Sequence, residues 1–171
     1  MSKKVFDVPG DNSRNNVHPA ATRWRNMHGR LHLKQYANVT ICEEWYTYSK
    51  FKAWLTAQPG WEDMVLDKDL LVRGNTQYGP DTCLLIPQVV NAFIADSHKA
   101  GKLPGAARSR YKKESWIAQF WDGNTNQHLG KFATEQEAHE AWKKAKHARA
   151  LVLAETLTDE RAKQALRTRY L

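Results

Sequence analysis

Hydrophobic and polar positions in this chain follow two different periods, and the changes of period mark the elements. Trp24, Met27 and Leu31 recur at helical spacing behind Thr22, which predicts a short helix with Thr22 as its cap. The polar, asparagine-rich residues 1–20, broken by Pro9 and Pro19, read as a mobile arm in front of it. Asn38–Cys42 is β-branched and short, a strand pattern. Trp45, Tyr48, Phe51, Trp54 and Leu55 return to helical spacing, and Pro59-Gly60 ends that segment. Val65–Pro87 has two apolar runs around charged residues and turns at Arg73-Gly74 and Gly79-Pro80, the pattern of a β-hairpin. A helix is expected from Pro87, with Val89, Val90, Phe93 and Ile94 inward and Gly101 past its end.

The period shortens again after the glycine- and proline-containing break at Lys99–Ala107, where the pattern puts a domain boundary. "RSRYKK" would be a strand with Arg108, Arg110 and Lys112 on one face. "SWIAQFW" alternates Trp116, Ala118 and Phe120 against Ile117, Gln119 and Trp121. The Asp122-Gly123 turn leads to a third strand, "QHLGKF". Thr134 and Glu137 then form a capping box, in which each side chain satisfies a backbone N–H that helix geometry leaves unpaired. Behind it Ala138, Ala141, Trp142, Ala145, Ala148 and Val152 make one stripe, mostly of small residues that let a helix lie close to a sheet. A last helix from Thr158 carries Arg161, Lys163, Arg167 and Arg169. No internal repeat is visible.

Composition narrows the function. Among 171 residues, 26 Lys and Arg face 18 Asp and Glu, an excess of 8, which favours a polyanionic partner such as nucleic acid. Cys42 and Cys83 stand far apart with no Cys-x-x-Cys pair, so a zinc knuckle is unsupported and a reducing, cytoplasmic setting is expected. No apolar run approaches the roughly 20 residues that span a bilayer. The polar N-terminus reads as neither signal peptide nor anchor.

The sheet of the second half has one face for its helix and one left over. The second face would carry Ile117, Gln119 and Trp121, with Asn126 and His128 on the third strand and Arg108, Arg110 and Lys112 beside them. Cations, amides and an exposed ring suit a DNA major groove: Arg pairs with guanine, Gln or Asn with adenine, Lys with phosphate. A plain solvated face is the alternative. The stretch "SWIAQFWDGNTNQHLGKFATEQEAHEAWKKAK" resembles the APETALA2/ERF-type DNA-binding domain, through its Trp-x-Ala strand, Leu-Gly-x-Phe-x-Thr step and alanine-rich helix. That resemblance implies that the sheet enters the major groove and that Arg108, Arg110, Gln119, Trp121, Asn126 and His128 make the contacts. The plant domains carry more Arg on the middle and third strands. Gln119, Trp121 and His128 stand there instead, so no sequence preference carries over.

Residues 22–95 are similar to phage HNH-type homing endonucleases, which often carry the APETALA2-type domain. The resemblance implies a histidine base and one divalent cation, Mg²⁺ or Mn²⁺. Asp67-Lys68 stands where such enzymes have Asp-His, with Asn75 in the turn, Asp81 near the second turn and Asn91 on the next helix. Lys68 does not replace the histidine, since an amine with a pKa near 10.4 is protonated at neutral pH. Three readings stay open. Asp67 and Asp69 bind the metal and one of them, or hydroxide, activates water. Lys68 holds phosphate and hydrolysis is lost. Or the hairpin only braces the fold, with Lys68 neutralising its neighbours. His28 and His32, four apart, have metal-binding spacing on a helix, and His98 is a further imidazole. Two surface histidines are the alternative, and Cys42 and Cys83 read as buried apolar residues.

The sequence thus predicts an α+β chain with an HNH-like ββα-containing module before a three-stranded antiparallel sheet packed on one helix. The limits are an arm over 1–20, the nuclease-like module over 21–99, the DNA-binding domain over 100–157 and a basic helix over 158–171. The expected function is a metal-dependent endonuclease acting on double-stranded DNA. The alternative is a catalytically inactive DNA-binding protein, a regulator or inhibitor, on the same scaffold. A protein-interaction module with no nucleic-acid role is the third class. Monomer and homodimer are both open.

Overall fold

The computed structural model describes residues 3–13, 16–95, 102–110 and 115–171. The chain divides into two compact units, Met1–Ile86 and Pro87–Leu171.

The first unit is built on aromatic packing. Strands β1 (Asn12–Ser13) and β2 (Asn16–Val17) pair antiparallel and lead into α1 (Pro19–Arg30). The cap of α1 is His18, whose Nδ1 accepts from Ala20 N at 3.2 Å, and not Thr22. Pro19 fits the first helical position because its missing N–H has no partner there in any case. β3 (Thr40–Ile41) follows, then a 3-10 turn over Glu43–Tyr46 and α2 (Tyr48–Thr56). The expected long helix is therefore interrupted at Thr47. Trp24, Trp45, Tyr48, Phe51 and Leu55 are buried together, with Trp45 edge-on to Phe51 at 5.2 Å.

Described residues 3–13 are not a free arm. Val5 bridges Thr47, Phe6 stacks on Tyr48 at 4.4 Å, and Asp11 accepts from Tyr48 Oη at 2.6 Å and faces Lys52 Nζ at 2.7 Å. Val5, Phe6 and Val8 are the apolar residues of an otherwise polar stretch, and Phe6 and Val8 pack on the aromatic core.

The Val65–Pro87 region is not a simple hairpin. β4 (Met64–Asp67) pairs with β6 (Leu84–Pro87). Between them β5 (Gln77–Tyr78) pairs in parallel with β3 instead.

The second unit begins with α3 (Gln88–Ile94). The expected extension of this helix toward Gly101 falls on residues 96–101, outside the described residues. β7 (Ala106–Arg108), β8 (Trp116–Trp121) and β9 (Asn126–Phe132) form an antiparallel sheet in that order. α4 (Glu135–Ala154) packs on it, and α5 (Glu160–Thr168) packs on α4. The architecture is α+β with a three-stranded antiparallel sheet.

The reciprocal Thr134–Glu137 bonds of the capping box are present, with Thr134 Oγ1 accepting from Glu137 N at 3.1 Å. The buried row of α4 runs Ala138, Trp142, Lys146, Ala150, Leu153, while Ala148 and Val152 are exposed. The alanine stripe thus misplaced the inner face beyond Trp142 by following small residues rather than the steady i+4 row. Lys146 is 1% exposed. Its ammonium donates to Phe93 O and lies 3.9 Å from the Phe93 ring centre and 5.0 Å from that of Tyr170. A ring face and a carbonyl replace water around the charge. That contact fastens α3 to α4, so α3 belongs with the sheet and the division falls at Ile86/Pro87, not within Lys99–Ala107. The cap of α5 is Asp159, one residue beyond the expected Thr158. Among the described residues no helix is long and apolar enough to cross a membrane.

Candidate nucleic-acid interface

Asp67, Lys68, Asp69 and Asn75 come together in one loop, and their polar groups are turned on the loop itself. Asp67 is buried, and its Oδ1 accepts from Asp69 N at 3.0 Å and Leu70 N at 2.6 Å. Lys68 Nζ donates to Asp69 Oδ1 at 2.7 Å and to Asn75 O at 2.6 Å. Asn75 Nδ2 donates to Lys68 O at 2.9 Å and Gln77 O at 2.7 Å, and its Oδ1 accepts from Gln77 N at 3.0 Å. These bonds close the chain between β4 and β5, where strand pairing offers no partners to its backbone.

The two carboxylates do not fit a divalent ion as arranged. An ammonium already occupies the approach to Asp69, and Coulomb repulsion from it opposes a second cation at that distance. Asn91, expected to complete the constellation, is half-buried on α3 in the second unit. Among the described residues no group of three or more His, Cys, Asp or Glu is arranged to hold a metal. The His28/His32 pair also dissolves. His28 is 6% exposed, wedged edge-on to Trp24 with Nε2 at 3.2 Å from Trp45 O, whereas His32 is exposed beyond the helix. His98 lies outside the described residues. Cys42 and Cys83 are free thiols, and burial pushes the Cys83 thiol up to about 11.

The outer face of the sheet has the opposite character. Gln119, Asn126 and His128 are exposed on it, and Trp121 is 45% exposed among them. Register joins them: Gln119 lies across from His128 and Trp121 across from Asn126. Between Ala118 and Gln119 the register slips by one, so that Leu129 is an extra residue on β9. Gly130, just past the slip, has φ +128°, a conformation that side-chain-bearing residues rarely adopt. The slip reverses the alternation beyond it and sets Lys131 across from Ile117, on the outer face. Plain alternation from His128 assigns Lys131 inward, so sequence reasoning missed it. Only the glycine in "HLGKF" hints at the bulge.

The basic residues before β8 behave differently from expectation. Arg108 pairs in register with Trp116, on the helix side of the sheet, and its guanidinium lies over the Trp116 ring at 5.4 Å. It is not beside Gln119. Arg110 is exposed, past the end of β7, and Lys112 lies outside the described residues. The tail's cations have acidic neighbours: Arg161 with Asp159 at 2.9 Å, Lys163 with Glu160 at 2.5 Å, and Arg167 with Glu155 at 2.7 Å. Arg169 reaches Ile94 O at 3.5 Å.

Two devices hold this face in place. Asp122 Oδ1 accepts from Asn124 N and Thr125 N, both at 2.8 Å, and these backbone bonds draw its carboxyl down to about 2. They fix the turn that joins Trp121 to Asn126. On the other edge Gly105, at φ +73°, lies so close to Trp142 that a Cβ there would be 1.9 Å from the indole. Gly105 O accepts from Gln119 N at 3.2 Å.

Among the described residues the side chains of Gln119, Asn126, His128 and Lys131 make no hydrogen bond or ion pair within the chain. Comparison with family models, with curated proteins and with solved structures finds no match.

Proposed function

We propose that this chain binds double-stranded DNA through the outer face of the β7–β8–β9 sheet and does not hydrolyse it. The observation that carries the reading is that four polar side chains, Gln119, Asn126, His128 and Lys131, share one face around an exposed indole with no hydrogen-bond or ion-pair partner among the described residues. Amides and imidazole offer donors and acceptors to base edges, and the lysine offers charge to phosphate. The likeness of Ser115–Lys146 to the APETALA2/ERF type and the basic excess of the chain support the same reading. The Asp67–Lys68–Asn75 loop favours the inactive alternative over the endonuclease. Its carboxylates and ammonium satisfy the loop's own backbone and one another, so Lys68 acts as the brace that neutralises Asp69.

Fluorescence anisotropy with a labelled duplex tests the binding half. Replacing Gln119 and Trp121 together by Ala removes an amide contact and a ring, each worth ~1–3 kcal/mol, so affinity drops by at least about tenfold. Unchanged affinity rejects the sheet face. Supercoiled plasmid with Mg²⁺ or Mn²⁺ tests the other half and is expected to remain supercoiled. Relaxation that disappears in Asp67→Asn, whose amide oxygen still accepts the two loop N–H groups, would restore the endonuclease.

A further inference from the structure

Past the start of β7, β8 runs on without a strand partner on that side, and the surface there is concave. An open depression of about 250 Å³ lies among Gly105, Ala107, Gln119, Trp121, Asn126 and Trp142. It is smaller than the ~300–1,000 Å³ of sites for drug-sized ligands, so it suits one ring system. Among the described residues its lining has no acidic side chain, and the unit around it has fifteen Lys and Arg against nine Asp and Glu. An anionic ligand is therefore favoured.

Resting on the reading of this face as DNA-binding, we propose that the depression receives a single unpaired nucleobase extruded from the duplex. A paired base offers only its groove edge and needs no cavity. An unpaired base also offers a flat face and its Watson–Crick edge. The exposed Trp121 ring supplies a stacking surface, and the Gln119 and Asn126 amides, unbonded among the described residues, each supply a donor and an acceptor at the wall. Adenine, with an acceptor and an amino donor side by side, matches an amide of either residue.

The test compares the affinity of the full chain for a fully paired duplex and for the same duplex with one extra unpaired adenine, at one salt concentration. The bulged duplex binds about tenfold tighter, the factor that stacking of a base on an aromatic ring supplies. In Ala107→Phe, which fills the depression from an exposed strand position, the ratio of the two affinities falls to about one. Equal affinities for the wild-type chain overturn the base site and leave the sheet-face reading standing. A preference that survives Ala107→Phe also overturns it, because the base is then held elsewhere. Failure to bind either duplex overturns both readings.

Discussion

At the scale of single residues, charge and burial separate groups that look alike in the sequence. His28 and His128 are both histidines, yet one is inside an aromatic core and the other faces solvent. Trp45 O can only accept, so Nε2 of His28 carries a proton. Burial holds its pKa below the ordinary 6.5, against the opposing pull of that hydrogen bond. The unfolded chain therefore takes up a proton at this residue as pH falls through 6.5, and the folded chain does so only at lower pH. Stability contributed by neutral His28 is complete above that pH and declines below it. The unfolding midpoint should fall between about pH 7 and pH 5, and His28→Gln, which keeps a donor for Trp45 O, should flatten that fall. Equal slopes for the two proteins would exclude this group. The same distinction explains Lys68 and Lys146. The carboxylate that Lys68 neutralises is its neighbour Asp69, a reading the local sequence offers, whereas Lys146 sits on ring faces from distant segments, which no local pattern encodes.

At the scale of elements, the strongest local signals carried through. The alternation of β8 and the capping box of α4 are both in the structure because each depends on neighbours within a few residues. Thr134→Ala should destabilise the protein by about 1 kcal/mol in denaturant unfolding. Glu137→Ala added to it should cost less than it does alone, since the two bonds are reciprocal. Full additivity would mean the box is not formed. What failed was long-range. Arg108 was assigned to the outer face by counting within a strand, but its face is set by pairing with Trp116. The supposed hairpin over Val65–Pro87 splits because β5 finds β3, a partner from much earlier in the chain. The bulge at Leu129 is a third case: one residue changes the side on which Lys131 lies, and hydrophobic period alone does not register it.

At the scale of the molecule, charge is unequal between the units. The first holds eleven Lys and Arg against nine Asp and Glu, the second fifteen against nine. Counterion release on DNA binding should therefore follow substitutions in the second unit. Lys131→Ala should lower the slope of log affinity against log salt by about one, whereas Lys34→Ala, exposed on the first unit, should leave it unchanged. Equal effects would mean that both units touch phosphate. The division into units was only partly legible, because the glycine-rich break at Lys99–Ala107 is conspicuous while the anchoring of α3 by Lys146 is not.

The four unbonded side chains on the outer face also have a meaning before any ligand arrives. Solvent is their partner in the unliganded protein, and a ligand that covers them must match the hydrogen bonds it displaces. Greasy or badly shaped intruders would leave dry, unsatisfied amides behind and be expelled. Selectivity here begins as a penalty on the wrong occupant, fixed in the hydration of the empty surface.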